Sequence, residues 1–160
     1  MPRVTLLLHN IRSAHNVGSI FRTADGFGVS KIVLTGYTPY PSYVGDTRLP
    51  HIASKISSQL KKTALGATTS VPFEYYNDLS TWLELNTLPL VGLEQSERSI
   101  AINDFRPPSE FVLVLGEEVD GIPSDLLDRC ESIIEIAMRG QKESFNVSVA
   151  AGIALYALTI

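Results

Sequence analysis

The stretch that decides the fold is ESIIEIAMRGQKESFNVSVAAGIALYALTI, from Glu131 to Ile160. Its apolar start predicts a short strand, a polar loop follows over Arg139–Ser144, and the remainder has the spacing of a helix with one buried face. This helix is rich in alanine and contains Gly152, which lowers helix stability unless a neighbour approaches the backbone closely. The stretch therefore predicts a strand that leads through a polar loop into a tightly packed closing helix.

The whole chain of 160 residues, 44% hydrophobic and 19% charged, has the size and composition of one globular domain. No apolar run approaches the roughly 20 residues of a membrane span, and the N-terminus does not resemble a signal peptide. We therefore expect a cytoplasmic protein with no membrane partner. The single cysteine, Cys130, excludes an internal disulfide, and His9, His15 and His51 share no metal-binding spacing, so we expect no metal.

Apolar runs of strand length alternate with helical patterns along the chain. The clearest is Phe111–Leu115 (FVLVL), a continuous apolar run of the kind found in parallel sheets. Further strand-like runs occur at Val4–Leu8, Lys31–Thr35, Ala67–Phe73 and Leu88–Leu93. The alternation predicts an α/β fold in a single domain, residues 1–160, with a mainly parallel sheet and helices on both faces.

Three strand ends combine apolar residues, a glycine and polar residues: Leu90–Glu94, Leu115–Glu118 and Ile136–Gly140. Ligands of open α/β sheets bind beyond the carboxyl ends of the strands, and glycine lets a ligand contact the backbone directly. Each end alone is more simply a turn, but the three together suit an adenosine-like ligand. A dinucleotide-binding oxidoreductase is disfavoured because DGFG ends a helix rather than opening one.

The charge of the chain is unevenly distributed. A net charge of −4 argues against a nucleic-acid coat protein, yet the first 62 residues have only Asp25 and Asp46 as carboxylates among many cations. This pattern fits an anionic partner or a plain solvated surface equally well. Arg22 lies beside the apolar stripe of a predicted helix. It could bind a phosphate or pair with Asp25 or Glu118, and spacing leaves these interpretations open.

Three stretches taken together resemble the successive motifs of the SpoU/TrmH RNA methyltransferases of the SPOUT superfamily. They are NVGSIFRTADGFGV (Asn16–Val29), LVLGEEVDGIP (Leu113–Pro123) and IAMRGQKESFNVSVAAGIALY (Ile136–Tyr156). Their order and spacing match, and with the intervening chain the resemblance covers almost the whole sequence. Two positions depart from the pattern. Ala137 stands where many relatives have proline, and Phe145 replaces a common leucine, so the wall of the cofactor pocket is expected to differ slightly.

The resemblance implies a fold, a cofactor and an activity. The C-terminal segment is expected to thread through a loop and form a deep trefoil knot over about residues 90–160. The implied protein is a homodimer that binds S-adenosylmethionine in the knot and methylates a ribose 2′-hydroxyl of RNA. The resemblance implies that the catalytic residues are Arg22, Asn16, Glu118, Ser144 and Asn146. It implies that the cofactor is held by Leu93, Gly116, Ile136, Met138, Ser144 and Phe145.

The RNA substrate is the least defined part of this hypothesis. Compact relatives tend to modify tRNA, so the short chain favours tRNA over rRNA. The long loop Gly36–Pro50 carries Tyr37, Tyr40 and Tyr43, which could stack on RNA bases or contribute to dimer packing. The alternative function is a knotted dimer that binds RNA without methylating it. The presence of all the polar motif residues argues against that alternative, because a scaffold would not need them.

Overall fold

The computed structural model describes residues 1–160 and is centred on a seven-stranded sheet in which all neighbouring strands are parallel. The order across the sheet is β3-β2-β1-β6-β4-β7-β5. The predicted α/β fold with a mainly parallel sheet is therefore confirmed. The strands are β1 (Arg3–His9), β2 (Lys31–Thr35), β3 (Phe73–Tyr76), β4 (Leu90–Leu93), β5 (Ile100–Ala101), β6 (Glu110–Leu115) and β7 (Ser132–Glu135).

Six α-helices and a short 3-10 helix, Ile102–Asp104, connect these strands. The expected strand over Ala67–Phe73 is wrong. Gly66 takes a left-handed φ of 96° and its carbonyl oxygen accepts the backbone N–H of Thr69 at 3.0 Å, which starts a helical turn. None of the helices combines the length and apolar composition needed to cross a bilayer. The α-helices are α1 (Ala14–Gly26), α2 (Pro50–Ala64), α3 (Ala67–Ser70), α4 (Leu79–Leu85), α5 (Ser124–Leu127) and α6 (Val147–Thr159).

Apolar layers cover both faces of the sheet, as the central strand β6 shows. Phe111, Leu113 and Leu115 face the larger core, which includes residues of α1, α2 and α6. Val112 and Val114 face a smaller core that includes residues of α4 and α5. Because both faces of β6 are buried, its sequence is continuously apolar rather than alternating. The predicted placement of helices on both faces is confirmed.

Helices α1 and α2 cross at Gly18. A Cβ atom at this position would overlap the backbone carbonyl oxygen of Leu60 and the side-chain oxygen of Thr63. Thr63 Oγ1 also donates a hydrogen bond to the carbonyl oxygen of His15 at 2.9 Å. Gly18 therefore allows the two helices to approach closely, and its place in the first motif has a packing explanation.

Helix α6 packs into the larger core through Ala151, Ala154, Leu155 and Leu158, all at most 3% exposed. The close approach expected at Gly152 is absent. A Cβ atom there would lie 3.6 Å from Cγ2 of Thr23 on α1, which is an ordinary contact. The neighbouring helix therefore leaves room for alanine at this position, and glycine is not required by the packing within one chain.

The connection from β4 to β5 passes the end of β7, which lies between these two strands. Within the connection, Ser99 Oγ donates to Glu135 Oε2 at 2.6 Å, and Gln95 Nε2 donates to the carbonyl oxygen of Glu143 at 2.6 Å. The connection is thereby tied to the segment that leaves β7 at two points. This arrangement is compatible with a knot, and the threading itself stays a prediction.

Candidate active site

A cavity of about 580 Å³ lies beyond the carboxyl ends of β6, β4 and β7, which are neighbours in the sheet. The remaining wall is the segment that leads into α6. Leu93, Leu115 and Ile136, one from each of the three strand ends that the sequence singled out, meet there. The volume lies within the range of small-molecule and cofactor sites, roughly 300–1,000 Å³.

Five of the six residues expected to hold the cofactor line this cavity. Met138 is the exception, since it lies two residues beyond Ile136 and does not contribute to the wall. Phe145, which stands where many relatives have leucine, is 40% exposed and places an aromatic ring at the mouth of the cavity. The five residues in the wall are Leu93, Gly116, Ile136, Ser144 and Phe145.

The end of β6 turns tightly at two glycines. The backbone N–H groups of Glu117 and Gly121 each donate to the carbonyl oxygen of the other, at 3.1 and 3.0 Å. A Cβ atom at Gly116 would overlap the backbone of Gly121, and Gly121 has a φ of +70°, in the left-handed region that favours glycine. The carboxylate of Glu94 accepts the N–H of Ile122 at 3.0 Å, so the turn is also attached to the end of β4.

Three polar motif residues from distant parts of the chain form one hydrogen-bond network beside the cavity. Asn16 Nδ2 donates to Glu118 Oε1 at 3.2 Å, and Asn146 Nδ2 donates to Asn16 Oδ1 at 3.1 Å. Asn146 also caps α6, because its side-chain oxygen accepts the N–H of Ser148 at 2.9 Å. The network therefore fixes the starts of α1 and α6 against the turn after β6.

The carboxylate of Glu118 is held in its ionised form. Burial raises its pKa, but hydrogen bonds from the backbone N–H groups of Arg12 and Ser13, and from Asn16, outweigh burial and leave the pKa below its usual value. The two backbone bonds are each 3.0 Å long. Glu118 is thus an acceptor at neutral pH and positions the start of α1 rather than donating a proton.

The wall of the cavity is rich in carboxylates and contains no lysine or arginine. Arg12 lies at the rim, where its Nη2 is 2.7 Å from Glu117 Oε1. A wall of this charge favours a cationic ligand and disfavours a phosphate. A phosphate group near the cavity would therefore need positive charge from another part of the protein. The carboxylates in the wall are Glu94, Glu117, Glu118, Asp120, Glu135 and Glu143.

Arg22 lies in a separate, exposed depression between α1 and α2. It forms no ion pair with Asp25 or Glu118, the two partners considered from spacing. Asp25 instead accepts a hydrogen bond from Ser70 Oγ at 2.6 Å. The depression shares no residue with the cavity, so a single chain does not bring Arg22 into its wall. The depression is lined by Ser19, Arg22, Thr23, Gly26, Phe27, Lys62, Thr63 and Leu65.

The tyrosines of the loop between β2 and α2 differ in their surroundings. Tyr40 stacks on Tyr75 with ring centroids 3.7 Å apart, and Cζ of Arg48 lies 3.6 Å from the centroid of the same ring. Both faces of Tyr40 are therefore covered, and this ring cannot stack on an RNA base. Tyr37 and Tyr43 are 52% and 45% exposed and keep an accessible surface.

Two residues of the site were given no individual role from the sequence, although Glu94 belongs to one of the strand ends singled out there. Glu94 follows β4 directly, at the edge of the sheet where ligands bind, so its position after a strand is a usable signal. Arg12 has no such signal, because its ion pair with Glu117 joins residues 105 positions apart. A contact of this kind becomes visible only in the folded chain.

Comparison with known proteins adds three findings. The profile of the SpoU rRNA Methylase family matches residues 3–156. The 23S rRNA (guanosine-2′-O-)-methyltransferase RlmB of Coxiella burnetii is 31% identical over 158 residues, which cover 97% of this chain and 57% of that protein. The AdoMet-bound rRNA methyltransferase from Sinorhizobium meliloti has a TM-score of 0.78 at 25% identity, over 97% of this chain and 55% of that one.

A second solved structure, described as giving structural insights into the 2-OH methylation of C/U34 on tRNA, shares the fold. Its TM-score is 0.75 at 23% identity, over 98% of this chain and 88% of that one. The match to the curated relative covers a smaller share of the other protein, because this chain spans little more than half of that protein's length.

Proposed function

The chain belongs to the SpoU rRNA methylase family, and from that membership we propose that it transfers a methyl group from S-adenosylmethionine to a ribose 2′-hydroxyl of RNA. The observation that carries the proposal is the cavity beyond β6, β4 and β7, where apolar side chains and a glycine turn adjoin the Asn16–Glu118–Asn146 network. The curated relative from Coxiella burnetii is named for the same kind of reaction, on guanosine of 23S rRNA.

The residues of the cavity fit S-adenosylmethionine. Leu93, Ile136 and Phe145 offer an apolar surface to an adenine ring, and the turn at Gly116 leaves backbone groups within reach of a ligand. The surrounding carboxylates suit a ligand that carries sulfonium and ammonium charges. When bound, this cofactor supplies a methyl group activated by a positively charged sulfur. The protein is left with two tasks, positioning the ribose and assisting loss of its proton.

The proposed catalytic role of Arg22 requires a homodimer. Within one chain Arg22 lies outside the cavity wall. Helix α6 and the residue that follows it expose a second apolar stripe, Val149, Tyr156 and Ile160, which are 49%, 62% and 82% exposed. Phe27, beside Arg22, packs edge-on against Tyr156 with ring centroids 6.5 Å apart. A second copy that covers this stripe would contact the neighbourhood of Arg22. We infer that Arg22 of one copy serves the cavity of the other.

The proposed chemistry is an in-line displacement. The cofactor held by the cavity wall would supply its methyl group to the ribose oxygen as the hydroxyl loses its proton, and S-adenosylhomocysteine would be the leaving group. Arginine stays protonated at neutral pH, so Arg22 is expected to hold the RNA phosphate next to the target ribose in bidentate geometry. Arg22, together with the phosphate so placed, assists loss of the proton from the hydroxyl. Glu118, Asn16 and Asn146 keep the cavity wall in position, and Ser144 borders the site at the entrance to α6.

For the RNA, we favour rRNA over tRNA as the substrate. The curated relative is named for 23S rRNA. The opposite preference rested on the compact length of the chain, and that argument loses its basis because the chain covers only 57% of this relative. The structure described with tRNA is 23% identical and supports the fold alone.

Methyl transfer from S-adenosylmethionine labelled in its methyl group tests the proposal. The protein is incubated with 23S rRNA, with intact large ribosomal subunits and with bulk tRNA, each taken from cells that lack the gene. Modified nucleotides are then mapped by mass spectrometry. We expect a ribose-methylated nucleotide in rRNA, whereas label confined to tRNA would correct the substrate. Absence of label in every RNA, with RNA binding retained, would favour the RNA-binding dimer without catalytic activity.

A further inference from the structure

The outer surface of α2 carries positive charge without any carboxylate. The segment Pro50–Ala64 contains no Asp or Glu, and its Lys55, Lys61 and Lys62 are exposed. The chain has five ion pairs, and none of them uses a lysine of α2. The chain as a whole has 17 acidic and 13 basic side chains. The positive charge of α2 is therefore opposite in sign to the net charge of the chain.

One lysine of α2 adjoins Arg22. Lys62 lines the same depression as Arg22. Arg22 forms no ion pair, and Asp25, the carboxylate of α1, instead accepts a hydrogen bond from Ser70 Oγ at 2.6 Å. Lys62 thus connects Arg22 with the other exposed lysines of α2, and we name these four cations together the basic face: Arg22, Lys55, Lys61 and Lys62.

Stabilisation of the helix explains only part of this charge. Lys61 and Lys62 lie in the last turn of α2, where positive charge interacts favourably with the helix dipole. Lys55 lies in the middle of the helix and gains nothing from that effect. Lys55 and Lys62 are seven residues apart, on the same side of the helix and about 10 Å from one another along its axis. At this spacing the two lysines can bind separate anionic groups. Lys55 distinguishes stabilisation of the helix from ligand binding, because only ligand binding accounts for its charge.

We propose that the basic face binds the sugar–phosphate backbone of the RNA substrate outside the reacting nucleotide. The inference rests on the proposed function and adds where the RNA lies. The carboxylates of the cavity wall repel phosphates, so the RNA that enters has to be held by charge elsewhere. In the proposed dimer, the surface that brings Arg22 to the cavity of the second copy brings the lysines of α2 with it.

Salt-dependent RNA binding by Lys55→Gln/Lys62→Gln tests the basic face. Binding of a fluorescently labelled RNA hairpin is followed by anisotropy over a series of KCl concentrations. For the double variant we expect a several-fold higher dissociation constant and a salt dependence that is shallower by roughly two in log–log slope, because two phosphate contacts are lost. Arg106→Gln is the matched control, since it removes an exposed cation near the amino end of β6, opposite the cavity.

Further measurements separate this inference from the proposed function. The KM for RNA should rise with little change in kcat, and calorimetric binding of S-adenosylmethionine should be unchanged. Lys55→Arg should keep the wild-type salt slope, and Lys55→Gln alone should lose about one unit of it, which provides a test should the double variant fold poorly. A reduced slope without methyl transfer in the wild type supports the surface and refutes the activity. A wild-type slope in both Gln variants, or binding to anionic phospholipid vesicles in place of RNA, would overturn the inference.

Discussion

The side-chain amide of Asn146 donates a hydrogen bond to the side-chain oxygen of Asn16 at 3.1 Å, between residues 130 positions apart. The side-chain amide of Asn16 in turn donates a hydrogen bond to the carboxylate of Glu118 at 3.2 Å. Each of the three residues comes from a different motif of the sequence. The motifs therefore meet as one structural unit, in which the starts of two helices and the turn after a central strand hold one another in place.

Replacement of Asn16 by alanine tests this unit. Asn16 is 7% exposed, and Asn16→Ala removes both of its side-chain hydrogen bonds within the network. We expect the free energy of unfolding to fall by about 1–3 kcal/mol and S-adenosylmethionine to bind more weakly. Urea denaturation and titration calorimetry measure the two effects. Asn77→Ala, in an exposed position, should change stability by less than about 0.5 kcal/mol. Wild-type values for Asn16→Ala would show that the network does not position the cavity wall.

The ionised state of Glu118 predicts a specific loss of stability in acid. Its pKa in the folded protein lies below the ordinary value of 4.5, so folding favours the carboxylate. This contribution is present above pH 4.5 and is lost as the pH falls through the lower, folded-state pKa. The unfolding free energy of the wild type should therefore decline more steeply over this acid range than that of Glu118→Gln. Urea denaturation across a pH series provides the comparison, and parallel curves would contradict the prediction.

The glycine turn after β6 predicts that two glycines near the site respond differently to the same change. Gly116→Ala places a Cβ atom against the backbone of Gly121, whereas a Cβ atom at Gly140 meets nothing within 4 Å. We expect Gly116→Ala to lose about 2 kcal/mol or more of stability and to bind S-adenosylmethionine poorly, with Gly140→Ala close to the wild type. Thermal denaturation measures the loss of stability, and titration calorimetry measures the binding of S-adenosylmethionine. Wild-type stability of Gly116→Ala would mean that the turn accommodates a Cβ atom without loss of free energy.

The sheet was predictable from the sequence because a parallel sheet buried on both faces needs continuous apolar runs, as in Phe111–Leu115. The strand ends beside the cavity were predictable for a related reason, since parallel strands bring their carboxyl ends to one edge. The roles of Asn16, Glu118 and Asn146 came from the resemblance to a family and not from spacing.

Other features depend on contacts that no local pattern contains. The helix at Ala67–Ser70 follows from the left-handed conformation of Gly66, and the ion pair of Arg12 with Glu117 spans 105 residues. Helical spacing placed Arg22 beside an apolar stripe but carried no information on which surface it faces. Its separation from the cavity is visible only in the folded chain.

That separation predicts complementation between two inactive variants. Arg22→Ala should reduce methyl transfer by about 100-fold or more and leave S-adenosylmethionine binding unchanged, since Arg22 does not line the cavity. Gly116→Ala should lose the cavity and keep Arg22. In a mixed dimer of the proposed kind, the intact cavity of the first variant would meet Arg22 of the second. Equal mixing, with subunit exchange, should restore about a quarter of the wild-type activity, because half of the dimers are mixed and each has one complete site. Arg106→Ala, at an exposed arginine near the amino end of β6, should stay active throughout. If the mixture stays inactive although mass spectrometry detects mixed dimers, Arg22 does not act across the interface.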